Sequence, residues 1–228
     1  MPRKQPYKNF EGKRAVGVTT YGTFWGGNKE VLMRWSRQQG VIEGKDPDAL
    51  RDKAAAAGTL AHEMMEAHIK ELPEPDILGY TQEQVDHAEA GFDAFLAWEE
   101  EHSPAWMQSE MRLVVDRVGG TLDGVAGMGD GGVWLVDFKT SKGVYPDMVI
   151  QVAAYRWLLS QRAWRDDVEE WWPGIDVAGV MILHCNKETA EFRDVVLSDE
   201  ALDVGLSSFQ CCVQLYEDNK VLTKAVRA

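Results

Sequence analysis

The stretch from 109 to 139 constrains this chain more than any other. Between 109 and 117 the residues alternate, with Met111, Leu113 and Val115 on one side and Glu110, Arg112 and Asp116 on the other. That period of two is the pattern of a half-buried strand. Gly119-Gly120 then marks a turn and 121–126 a short second strand. Residues 127–132 hold four glycines and an aspartate, a hairpin loop leading into a third strand at 133–139. A meander of this kind must bury at least one face, so the rest of the chain has to supply cover. Helices on both sides of it in sequence do so. Residues 24–39 read as helical, with apolar Trp25, Val31, Leu32 and Trp35 and a stop at Gly40. Asp46-Pro47-Asp48 suits a helix start. That stretch runs to about Glu71, as one helix or as two abutting at Gly58. Thr81-Gln82-Glu83-Gln84 opens another helix, to about Glu101. After the meander come a helix at 147–161, strands at 176–184 and 191–197, and a last helix from Ser198 to near Asp218. The expected fold is α/β (α+β), a central mixed β-sheet flanked by helices with an N-terminal helical layer. A basic arm at 1–17, one domain at 18–218 (helical to 105, sheet core from 106) and a tail at 219–228 complete the plan.

The chemistry concentrates on the same strands. Side chains alternate along a strand, so Asp137 and Lys139 project from one face while Val136 and Phe138 point to the other. A hairpin brings Asp123 of Leu122-Asp123-Gly124 beside Asp137. Two carboxylates and an amine on one surface suit phosphodiester hydrolysis. Hard oxygen ligands hold Mg²⁺, the metal polarises the phosphoryl oxygen, and a lysine neutralises developing charge. A surface Lys–Asp pair is the bland alternative for Asp-x-Lys alone. His62 and Glu66, four apart, share a helical face. The histidine can reach the same metal, with Glu66 orienting it, or it can be an ordinary core residue. Gln151 and Tyr155 repeat that spacing on the helix after the Asp-x-Lys strand and face back toward the site. Glu110 either lines the site or is an exposed strand acid. A zinc-protease reading of His62-Glu63 fails, because the fifth position of the His-Glu-x-x-His pattern is Glu66.

Charge narrows the function classes. The net charge is −13, which argues against a protein that coats nucleic acid but not against an enzyme gripping a few phosphates. Local cations are available in Arg3, Lys4, Lys8, Lys13 and Arg14, and again in Lys139, Lys142, Arg156, Arg162 and Arg165. The nine tryptophans read mainly as core residues, with Trp25, Trp35 and Tyr145 as candidates for stacking on unpaired bases. Cys185, Cys211 and Cys212 form no CxxC pair, so a disulfide framework is not expected and a reducing compartment is. No apolar leader and no membrane-length apolar run is visible, which points to a cytoplasmic protein with no membrane partner.

Taken together, Gly58-Thr59-x-x-His62, Glu110, Gly120-x-x-Asp123, Asp137-Phe138-Lys139-Thr140-Ser141 and Gln151-x-x-x-Tyr155 resemble the RecB-like, Cas4-like branch of the PD-(D/E)XK nucleases over roughly 17–218. Val18-Thr19-Thr20 followed by a helix ending in Arg34-Trp35 is most similar to the mitochondrial genome maintenance exonucleases and their phage relatives, which cut single-stranded DNA. The resemblance implies a restriction-endonuclease-like core and a Mg²⁺- or Mn²⁺-dependent deoxyribonuclease with one or two ions. It implies that His62, Asp123, Asp137 and the main-chain carbonyl of Phe138 bind metal, that Lys139 is catalytic, and that Gln151 and Tyr155 stand beside the site. Thr140, Ser141, Lys142, Arg34 and Trp35 are the expected DNA contacts. DNA with a free end or a single strand is the expected partner, with a recombination or replication protein as a further one. With no cysteine before Cys185, no iron–sulfur cluster is expected, and with no P-loop, no helicase activity. A structure-specific endonuclease and a catalytically idle nucleic-acid-binding module are the competing readings.

Overall fold

The computed structural model describes residues 5–227 apart from 28, 187, 188 and 190. Arg3 and Lys4 of the basic stretch therefore lie outside the described residues. The chain runs β1 (Val16–Gly17), α1 (Val18–Gly22), α2 (Lys29–Arg37), a π-helical turn at Gln38–Ile42, α3 (Pro47–Ile69), α4 (Gln82–His102), β2 (Ala105–Val115), β3 (Val118–Gly127) and β4 (Val133–Ser141). It continues with α5 (Pro146–Ser160), β5 (Ala163–Arg165), β6 (Glu170–Trp172), β7 (Gly179–Asn186), β8 (Phe192–Val196) and α6 (Asp199–Ala225). The strands form one eight-stranded mixed sheet in the order β6-β5-β2-β3-β4-β7-β8, with β1 paired to β3.

Local chemistry sets the helix starts. The Asp46 side chain accepts the N–H groups of Asp48 and Ala49, and Pro47 occupies the first turn, where its missing N–H costs nothing. Thr81 and Gln84 cap α4 reciprocally. Gly58 does not break α3, which is continuous. A Cβ there would lie 2.6 Å from Thr140 Oγ1, so the glycine lets α3 approach β4. At the other end of the chain α6 runs past Asp218 to Ala225. No Gly or Pro follows Gly205 in that helix, and propagation of an existing helix is inexpensive.

The sheet is covered on both faces. One face, with α1, α5 and α6, buries Leu122, Leu135, Ile182, Leu158 and Phe209. The other, with α3 and α4, buries Leu60, Met65, Phe95, Val136 and Phe138. Alternation along β4 therefore sends Leu135 to the first core and Val136 and Phe138 to the second, which leaves Asp137 on the α5 side. Trp98, Trp106, Trp134, Trp157 and Trp172 pack in or against these cores, as expected for most tryptophans. The described part of the basic N-terminal stretch lies against the sheet. Lys8 and Arg14 form an isolated bridge, and Val16-Gly17 pairs in parallel with Val118-Gly119.

Candidate active site

The site lies where β3 and β4 part. Their ladder ends at Gly124↔Val136, while β4 continues to pair with β7 as far as Ser141↔Asn186. Beyond the parting, Asp123 Oδ2 accepts the Phe138 N–H at 2.8 Å, so a carboxylate replaces the missing strand partner. The opposite edge of β3 carries β2. Ser109↔Gly124 and Met111↔Leu122 bracket Glu110 against Asp123, and Glu110 adopts a left-handed φ of 48°. Such a backbone is unusual for a non-glycine residue, and conformations of this kind concentrate at functional sites.

His62 comes in from α3, one turn after Gly58, with Nδ1 3.7 Å from Asp123 Oδ2. One ligand atom each of His62, Glu110 and Asp123 lie within 4.8 Å of one another. An imidazole nitrogen with two carboxylates is a donor set for a divalent cation. Asp137 stands beside this trio, 1% exposed, with Lys139 Nζ 2.5 Å from its Oδ2. Beyond this ion pair, neither carboxylate oxygen has a hydrogen-bond partner among the described residues. A buried carboxylate is costly unless its charge is compensated; one ammonium leaves lone pairs over for a second cation, and with His62, Glu110 and Asp123 beside it the residues fit a divalent metal. Burial pushes the Asp137 carboxyl up to about 6, with Asp123 adding to the shift and Lys139 opposing it. Burial alone would lower the Lys139 ammonium, but Asp137 and Asp123 outweigh it and hold Lys139 above its ordinary value. Lys139 also reaches the Phe138 carbonyl at 3.3 Å.

Gln151 Nε2 donates to Tyr155 Oη at 2.8 Å. Burial, then Asp123 and Asp137, hold the Tyr155 hydroxyl well above its ordinary value, so it stays protonated. Gly120 makes room for it, since a Cβ there would lie 2.8 Å from the Tyr155 ring.

His62, Glu110, Asp123, Phe138, Lys139, Gln151 and Tyr155, but not Asp137, line a cleft of about 1040 Å³, together with Trp35, Thr140, Ser141, Lys142 and Tyr145. Arg34 is not among the lining residues; its guanidinium holds Glu30 at 2.6 Å. Trp25 borders a second cavity, with Tyr145 and α6. Glu66 lines the cleft with Oε1 on Lys70 at 2.7 Å. The sequence reading passed over Tyr7 and Thr121, which also line the cleft and share a hydrogen bond of 2.8 Å. Thr121 stands two residues before Asp123 on the same strand, a usable signal. Nothing local marks Tyr7.

A sheet sandwiched by helices, with an acid–histidine cluster able to hold a metal ion and an Asp-x-Lys pair at a strand split, suits metal-dependent hydrolysis of a phosphodiester. The family model of the PD-(D/E)XK nuclease superfamily matches residues 31–221, and the chain belongs to that superfamily. No individual curated protein matches it. The chain is thus a metal-dependent nuclease, and among the described residues no helix is long and apolar enough to cross a membrane.

Proposed function

We propose that the protein is a DNA exonuclease, dependent on Mg²⁺ or Mn²⁺, that works on single strands or free ends in repair, recombination or replication. The observation that carries the nuclease reading is the meeting of His62, Glu110, Asp123 and Lys139 in one cleft, with the buried Asp137 paired to Lys139 behind its wall. The preference for unpaired DNA is supported by Trp35 and Tyr145 on the cleft walls, because aromatic faces stack on any unpaired base.

His62, Glu110 and Asp123, with Asp137 adjoining, would hold the cation, which supplies Lewis-acid polarisation of the scissile phosphate. Lys139 offers its ammonium to charge gathering on the phosphoryl oxygens, and Asp137 fixes its position. Gln151 occupies the acceptor side of Tyr155 Oη, which leaves the phenolic hydrogen to donate. Thr140 and Lys142 face the same space from the end of β4.

The test is cleavage of end-labelled linear single- and double-stranded DNA and of a closed circular single strand, with Mg²⁺, Mn²⁺ or EDTA. Shortening of linear single strands that EDTA stops, with the circle intact, supports the exonuclease. Efficient cutting of the circle makes it an endonuclease. Binding without cleavage under every condition leaves a binding module.

A further inference from the structure

The charges on the cleft wall do not suit a strand held by cations. Five acids line it (Glu63, Glu66, Glu110, Asp123 and Asp147) against Arg51, Lys139 and Lys142. Arg51 and Lys139 are held by acids. Arg51 lies 3.0 Å from Asp48 and 2.9 Å from Asp52, and Lys139 is on Asp137. Neutral donors are better placed, and one pair of them is built into the fold. The Tyr7 ring lies on Gly119, where a Cβ would come within 2.4 Å of it. The Arg112 guanidinium sits 4.4 Å from the ring centroid on the same ring. Asp166 fixes that guanidinium through two hydrogen bonds of 2.7 and 2.8 Å, and Asp166 also takes the Lys8 N–H at 2.9 Å. The clasp delivers Tyr7 Oη to Thr121 Oγ1 at 2.8 Å on the cleft wall. One hydroxyl hydrogen is used between the two oxygens and the other is left to donate.

We propose that the Tyr7–Thr121 hydroxyl pair is a phosphate-binding point, and that the enzyme grips its strand chiefly through neutral donors and metal rather than through lysine and arginine. This rests on the nuclease reading given above. It deepens that reading by assigning the mode of substrate recognition.

Counterion release makes the consequence measurable. A protein that neutralises Z phosphates loses affinity with a log–log salt slope of about −0.7Z on single strands. One or two cationic contacts give a fall of less than about tenfold between about 50 and about 200 mM salt, where six to ten contacts on a single strand lose about 3 × 10²- to 2 × 10⁴-fold. The test measures binding of a fluorescent single-stranded oligonucleotide to the full chain with Ca²⁺, and steady-state cleavage with Mg²⁺, across that salt range. Wild type is compared with Tyr7→Phe and Thr121→Val, both of which keep the packing. The expected result is a shallow salt slope in all three proteins. Each variant raises KM about threefold to tenfold, the worth of a hydrogen bond, with kcat within about twofold and Tm unchanged.

A steep salt slope overturns the neutral grip. An unaltered KM in Tyr7→Phe and Thr121→Val, with folded protein, overturns the phosphate point. Absence of both binding and cleavage in wild type overturns the nuclease reading instead.

Discussion

Helix α3 enters the cleft from a packed interior, with Leu60, Ala61 and Met65 buried. Helix α2, on the same cleft, leaves Leu32 and Met33 exposed and Trp35 half-buried. The first delivers His62 to a trio of ligand atoms confined within 4.8 Å. The second presents an aromatic face to whatever lies in the cleft. Holding a cation needs fixed geometry, because ligand distances tolerate little error. Stacking on a base tolerates sliding, so its platform can sit on an element with few buried contacts, which opens at low cost. On the function proposed above, chemistry and recognition divide between a well-packed element and a sparsely packed one, and substitutions on the two should fail in different ways.

The largest effect belongs at the rigid floor. Lys139→Ala should lower kcat by about 10²- to 10³-fold, the usual loss when one preorganised stabilising group is removed, while oligonucleotide binding persists. Single-turnover cleavage beside a binding isotherm checks this; cleavage at the wild-type rate would remove Lys139 from the mechanism. Next comes the support of α3. Gly58→Ala puts a methyl 2.6 Å from Thr140 Oγ1, so α3 must move and carry His62 with it. Metal affinity by calorimetry should fall by about 10- to 100-fold, the range for disturbing what positions a ligand. Adding Thr140→Ala removes the clash, since the remaining Cβ is 3.9 Å away, and should restore most of the affinity. Failure of that rescue would break the link between the helix approach and the metal site. Trp35→Ala tests the loose side. It should weaken single-strand binding by about 1–3 kcal/mol and raise KM, with metal affinity and Tm almost untouched. A fall in Tm as large as that of Gly58→Ala would show α2 to be part of the core and erase the contrast.

Much of the rigid half was legible in the sequence, because its signals are local. The alternation at 109–117 placed β2, the glycine-rich 127–132 loop placed the hairpin, and Asp46-Pro47 and Thr81–Gln84 placed two helix starts. The hairpin spacing places Asp123 near Asp137 and Lys139, whereas His62, which spacing alone leaves open between a ligand and a core residue, reaches Asp123 through the packing of α3. What was missed depends on contacts between distant residues. β1, β5 and β6 are two or three residues long, too short to show a period. Tyr7 gains its place from Gly119, Arg112 and Asp166, each more than a hundred residues away in sequence. Glu110 was left undecided between site and surface because alternation gives the face and not what covers it. Gly58 reads locally as a helix breaker, and only the nearness of Thr140 explains it.

The smallest effect lies on β7, behind the cleft. His184, opposite Lys139 in the β4–β7 register, is 1% exposed. Its Nε2 donates to the Ser141 carbonyl at 3.0 Å, while Nδ1 has no hydrogen-bond partner among the described residues. Burial lowers its pKa below the ordinary 6.5, with the Ser141 carbonyl pulling the other way. The unfolded chain therefore takes up a proton at a higher pH than the native protein does. Stability contributed by His184 is present above 6.5 and is lost as pH falls below it, by at most about 1.4 kcal/mol per pH unit. Asp137 acts in the opposite sense. Its carboxyl is raised from 3.8 to about 6, so in metal-free protein its share falls as pH rises through that window. Wild type must therefore be compared with His184→Gln, which keeps a donor for Ser141 and cancels the Asp137 share. With EDTA present, Tm should drop more for wild type than for the variant between about pH 7.5 and about pH 5.5. Equal drops would mean that His184 takes up its proton in the folded protein as readily as in the unfolded chain. The strand end that presents Thr140, Ser141 and Lys142 would then owe nothing to a neutral imidazole behind it.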